Sequence, residues 1–267
     1  MKKRILSYLT ALVLLLAAGL VHAQGEQGSG GDVLMPTEVG GWLIGPIGGV
    51  NLVTYSTDQF PLLGLEPTCF LAQNGSDIAP FVGVSALLPL NAETMQNFIM
   101  AEVIFDSKSS KFTAINNGST QVLTKYNGVT KLGYVNTSAS ANLTYMTLNL
   151  GYKYNFTPAP TPVGPSIQAV LSTGIKMTSS ITRTVEVSAA VGTSNVASKT
   201  DVLDPSSIRL ALRAMFAYDI PITETWVASP TVGYDLALTK VNSNAIPGNW
   251  KANSAFAGVA VRALVGR

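Results

Sequence analysis

Histidine is almost missing from this chain. The one present, His22, falls in a segment expected to be removed. Without histidine there is no Ser-His-Asp or Cys-His relay, and the commonest zinc ligand is gone. Cysteine is equally scarce. Cys69 stands alone, so no internal disulfide can form. It reads as a small apolar residue in a loop, and no cysteine follows the expected cleavage point to take a lipid. Charged residues make up 12% of the chain, about half the usual share in soluble domains, roughly 25%. Long hydrophobic runs are also missing, with one exception at the N-terminus.

That exception is Ile5–Leu20, uncharged and preceded by Lys2, Lys3 and Arg4. Val21-His22-Ala23 then places small residues where a signal peptidase reads. Residues 1–23 are therefore expected to be an export signal, cleaved before Gln24. The signal takes three of the 17 basic residues and none of the 15 acidic ones, leaving 14 against 15. The basic balance belongs to the signal, so nothing points to nucleic acid. Residues 24–40, rich in Gly, Glu and Ser, read as a flexible leader, and 41–267 as one domain.

Within 41–267 no run approaches the ~20 apolar residues of a membrane helix. The pattern is period two instead. In Ser206–Tyr218, Ile208, Leu210, Leu212, Ala214, Phe216 and Tyr218 alternate with Arg209, Ala211, Arg213, Met215 and Ala217. In a strand these sets face opposite ways. Asn142–Tyr154 repeats the pattern and likewise ends on aromatics. Trp226–Val241, Asn253–Leu264, Ser166–Met177 and Asn97–Asp106 alternate too, and Gly41–Tyr55 and Ile78–Leu88 do so more weakly. About eight strands result. The connections alternate in length: long at Ser56–Asp77, Ser107–Ala141 and Thr178–Pro205, short at Pro89–Gln96, Asn155–Pro165 and Asp219–Thr225, medium at Asn242–Ala252. The expected fold is all-β, a closed antiparallel up-and-down transmembrane β-barrel with short turns at one end and long loops at the other. Pro46, Pro80 and Pro230 sit awkwardly in it, because proline cannot donate to a ladder and a closed barrel has no edge.

The Gly-rich first strand Gly45-Pro46-Ile47-Gly48-Gly49-Val50-Asn51-Leu52, the strand Leu143–Tyr154 and the closing run Ala257–Leu264 resemble the small outer-membrane barrels of the PorT-like type found in Bacteroidetes and related bacteria. The resemblance covers roughly residues 41–267. It implies an outer-membrane barrel without implying one activity. The chain departs from many such barrels by ending Leu264-Val265-Gly266-Arg267 rather than on an aromatic residue.

Eight charged residues fall on the face expected to line the lumen: Glu102, Asp106, Lys153, Lys176, Arg209, Arg213, Asp235 and Arg262. Charges taken out of bulk water must pair or be solvated, and an eight-stranded barrel is just wide enough for side chains to fill it. A mutually neutralising plug is expected, with Arg213–Asp235 as the favoured pair. A solute path with an arginine-rich wall is the sharper alternative. Asn117-Gly118-Ser119 and Asn136-Thr137-Ser138 match a glycosylation acceptor but read as polar loop composition. No phosphate loop, EF-hand or Cys/His cluster appears, so no cofactor and no metal are expected. The expected function is non-enzymatic, structural or interactive, and carried by the long loops of a monomer in outer-membrane lipid, with an envelope or extracellular partner. A narrow channel or hydrophobic-solute transporter is the first alternative, and a soluble secreted β-protein the second.

Overall fold

The computed structural model describes residues 41–57, 60–61, 71–72, 74–91, 93–113, 120–126, 128–189, 192–199, 205–242 and 250–266. The expected export signal and leader, Cys69 and Asn117-Gly118-Ser119 lie outside them. Eight long strands form the body: β1 (Trp42–Thr57), β2 (Gly75–Pro89), β3 (Asn97–Ser107), β4 (Val129–Asn155), β5 (Gly164–Ala189), β6 (Ile208–Pro221), β7 (Trp226–Ala237) and β8 (Trp250–Val265). Each pairs antiparallel with the next, and β8 pairs with β1, so the sheet closes into an up-and-down barrel.

The registers fix the barrel's tilt. Leu43 lies opposite Leu87, then Met100, Gly151, Val170, Arg213, Asp235 and Ser254 in turn. Ser254 returns to β1 at Val53. One circuit thus climbs ten residues along β1, a stagger that tilts the strands by roughly 40°. Every residue on this circuit points inward, and its strand neighbours point out.

The prolines are accommodated by local gaps. All three rings point outward. Beside Pro46, the β1–β8 ladder skips from Ile44↔Ala263 to Ile47↔Ala260, while Pro46 still pairs with Val84 of β2. Beside Pro230, the β6–β7 ladder skips from Ala217↔Thr231 to Ile220↔Ala228, while Pro230 still pairs with Val259 of β8. Pro80 lies just outside the β2–β3 ladder, which begins at Phe81↔Asp106. Each missing N–H therefore interrupts one ladder only, and the barrel stays closed.

The long connections differ from expectation. Much of Ser107–Ala141 and Thr178–Pro205 is strand, not loop. β4 and β5 run on past the barrel rim as a hairpin wing, where Gly133–Thr144 pairs with Thr178–Ala189. Thr120–Tyr126 adds to its β4 side and Gly192–Lys199 to its β5 side. Asn136-Thr137-Ser138 therefore lies in a strand. A register shift at Thr144/Tyr145 marks where the barrel gives way to the wing. The wing's sequence hides its strands, because a run rich in Thr, Ser and Asn carries little hydrophobic alternation.

Candidate functional site: the layered lumen

The inner face is filled by side chains arranged in layers. At the loop end, Tyr55, Phe112 and Trp250 form an aromatic roof, with ring centroids 5.0–5.7 Å apart. Around them pack Val53, Leu143, Tyr145 and Ala252. Halfway down, Phe81 and Phe256 meet edge to face at 6.0 Å. Glycines make room for these rings. A Cβ at Gly49 or Gly258 would lie 2.7–2.8 Å from the Phe81 ring, and one at Gly233 2.6 Å from Phe256. At the turn end Leu43, Leu87, Phe98 and Met95 close the floor. Met95 takes a left-handed backbone (φ 40°) to do so.

Two charged layers lie between these apolar ones. The upper layer gathers Asp106, Arg209, Arg213 and Asp235, together with Lys108. Arg209 Nη2 donates to Asp235 Oδ1 at 2.8 Å and to the Ala252 carbonyl at 3.0 Å. Lys108 Nζ sits 3.1 Å from Asp106 Oδ2 and 3.4 Å from Asp235 Oδ2, and donates to Ser254 Oγ at 2.8 Å. Asn51 donates to Asp106 Oδ1 at 2.8 Å. Arg213 Nε approaches Asp235 Oδ2 at 3.4 Å, with the guanidinium 4.6 Å from the centre of the Phe256 ring. Arg213 and Asp235 do face each other in register. The shorter contact to Asp235 nevertheless belongs to Arg209.

The lower layer joins Lys153, Asp219, Arg262 and Glu102. Lys153 Nζ donates to both oxygens of Asp219. Ser229 donates to Asp219 and accepts from Arg262 Nη1 at 3.0 Å. Arg262 Nε and Nη2 donate to Ser85 at 3.0 and 2.8 Å, and Nη2 stands 3.8 Å from Glu102 Oε1. Asn149 donates to Glu102 and accepts from Ser172. These contacts cross the lumen. Asn51–Asp106 links β1 to β3, Arg262–Ser85 links β8 to β2, and Lys153–Asp219 links β4 to β6. They therefore tie strands that share no ladder.

Seven of the eight charges expected in the lumen enter these two layers. Lys176 does not. It lies half-buried at the loop end, where Nζ donates to the Pro205 carbonyl at 2.5 Å. Lys108 and Asp219 were missing from the sequence-based set. Both lie just beyond the expected strand ends, yet each keeps the parity of its lumenal neighbours, Asp106 and Ala217. Extending the alternation by one inward step would have found them. Among the described residues, no group of His, Cys, Asp and Glu is placed to hold a metal ion.

The outer face is the converse. Below the Thr144/Tyr145 shift, the outward positions of the eight strands carry one charge, Lys251, at the loop end of β8. The rest are chiefly aliphatic and aromatic, and Trp42, Tyr152, Phe156, Tyr218 and Trp226 gather near the turn end.

No family model matches the chain, and no curated protein matches it by sequence. Among solved structures it is similar to Ail, the attachment invasion locus protein of Yersinia pestis, at 8% identity and a TM-score of 0.33, over 84% of this chain and 99% of that one. It is also similar to Neisserial surface protein A, at 13% identity and a TM-score of 0.31, over 84% and 98% of the two chains. A third is the outer membrane protease OmpT from Escherichia coli, at 9% identity and a TM-score of 0.29, over 87% and 97%. At such low similarity these likenesses carry no argument about role.

Proposed function

We propose that this chain is an outer-membrane β-barrel that conducts nothing, catalyses nothing, and holds its β-structured wing at the cell surface for interaction. The carrying observation is the inversion of polarity: among the described residues nine buried charges line the inner face, while Lys251 is the one charge at the outward strand positions below the wing. Water-soluble barrels bury apolar side chains and expose polar ones. Closure matters equally, because lipid tolerates no unpaired sheet edge. The outward apolar row on β6 runs from Ile208 to Ile220. At ~3.4 Å per residue and a ~40° tilt it rises about 30 Å, enough for the ~25 Å apolar band of such barrels. The resemblance to PorT-like barrels agrees with this placement.

Three supports favour a surface role over transport or catalysis. The roof, the ring pair and the floor each fill the lumen. Most of the lumenal charges are engaged with one another across it. The expected mature chain has no histidine. Envelope fractionation tests the placement. The protein should sediment with outer membrane, and its folded form should migrate differently on a gel before and after boiling. Recovery in the soluble periplasmic fraction would overturn it. Planar-bilayer recording of refolded protein tests the closed lumen. Steady single-channel steps that change with Arg209→Ala would establish the channel instead.

A further inference from the structure

The two charged layers differ in balance. The lower holds Lys153 and Arg262 against Asp219 and Glu102. The upper holds Lys108, Arg209 and Arg213 against Asp106 and Asp235, leaving one positive charge uncompensated among the described residues.

The surplus can be assigned to a residue. Asp235 Oδ1 is taken by Arg209, and its Oδ2 is shared with Lys108. Asp106 Oδ1 is taken by Asn51, and its Oδ2 lies 3.1 Å from Lys108 Nζ without accepting a hydrogen bond. Arg213 comes no nearer than 3.4 Å to one carboxylate and 3.8 Å to the other. Its Nε and Nη2 are buried and find no acceptor, and the same holds for Arg209 Nε. Arg262, in the same barrel, shows what a satisfied lumenal arginine looks like, with Nε, Nη1 and Nη2 all donating to serine hydroxyls. The Phe256 ring against the guanidinium of Arg213 attracts its charge but cannot accept its in-plane N–H bonds. A buried charge with unmet donors is costly enough to recruit a counter-ion.

We propose that the upper layer holds a small monovalent anion, of halide size, against the Arg213 guanidinium. One surplus charge calls for one negative charge. The layer lies between the aromatic roof above and the Phe81–Phe256 pair below. A further donor lies on the Arg209 side of the layer. Thr147 and Arg209 both lie in register with Gly174, and a Cβ there would come within 3.2 Å of Thr147 Oγ1. That hydroxyl is also buried without a partner.

The test is refolding of the full barrel in sodium bromide or in sodium gluconate at equal ionic strength. Crystals grown from the bromide form should show an anomalous peak within hydrogen-bond reach of Arg213 Nε or Nη2. The unfolding midpoint should be higher in bromide and rise with its concentration. Arg213→Met should abolish that dependence. Lys108→Met should abolish it too while keeping Arg213, because two arginines then face two carboxylates. This second variant guards against misfolding of the first. Equal midpoints in the two salts overturn the proposal, as does a bromide dependence unchanged in Lys108→Met. A peak without any stability difference means an adventitious ion only, and overturns it as well.

Discussion

Lys153 of β4 and Asp219 of β6 meet across the width of β5, with Nζ 2.7 and 2.6 Å from the two carboxylate oxygens. Both are buried, so the pair is a tie between strands rather than a surface contact. Removing one partner strands the other. Lys153→Met should cost about 3–5 kcal/mol, whereas replacing both partners by apolar residues of similar volume is often near neutral. Urea unfolding of the refolded barrel should show Lys153→Met well below wild type, and Lys153→Met with Asp219→Leu recovering most of the loss. A double variant as unstable as the single one would show that packing, not charge, holds this position.

The barrel was legible in the sequence because the lumen and the exterior demand opposite chemistry on alternate residues. Ile208 to Tyr218 and Leu148 to Tyr154 show this directly. The lumenal charges followed from the same alternation. Their cross-lumen partners did not, since Lys153–Asp219 and Asn51–Asp106 depend on curvature that brings non-adjacent strands together. Lys108 was lost at a strand end, and Lys176 was over-read because the alternation continues past the barrel rim. The wing was hidden for a physical reason. A ladder rich in Thr, Ser and Asn leaves little hydrophobic period to read.

The outer face makes a depth-dependent prediction. Leu212 points outward on β6, in the middle of the apolar band, and Ile222 lies in the turn beyond β6. Under the proposed placement, Leu212→Arg should cost about 2–4 kcal/mol and Ile222→Arg at most about 1, following the depth profile of lipid-facing arginines. Reversible unfolding from phospholipid vesicles measures both. Equal costs, or none, would mean the face meets no bilayer.

Closure between the first and last strands depends on Gly45. Beside the Pro46 gap, β1 approaches β8 so closely that a Cβ at Gly45 would lie 1.9 Å from the Val261 carbonyl oxygen. At Gly48 the nearest contact would be 3.6 Å. Backbone atoms cannot move aside as a flexible side chain can. Gly45→Ala should therefore lower stability by about 1–3 kcal/mol or more and reduce the yield of the heat-modifiable folded form. Gly48→Ala should fold like wild type. Gel mobility before and after boiling separates the two, and a normal Gly45→Ala would refute the close approach.

The wing should be separable from the barrel. The β3–β4 ladder ends at Ser107↔Thr144, the β5–β6 ladder ends at Ile175↔Ile208, and Ser110–Thr113 pairs with β4 down to Ser138, so the barrel's own pairing reaches no further along β4 than Ser138. The wing has ladder hydrogen bonds and exposed apolar side chains such as Leu123 and Leu132, and its described buried apolar residues, Ala141 and Leu143, lie at its base under the roof. Segments with few buried contacts open at low free energy. Backbone amides of Gly133–Ser140 should therefore exchange with deuterium much faster than those of Leu148–Tyr154, although one continuous strand carries both. A chain with residues 114–137 and 183–199 replaced by short turns should still fold to a heat-modifiable barrel. Loss of folding on that deletion, or equal protection along β4, would make the wing part of the barrel's own stability. It could not then be an appendage free to serve a partner.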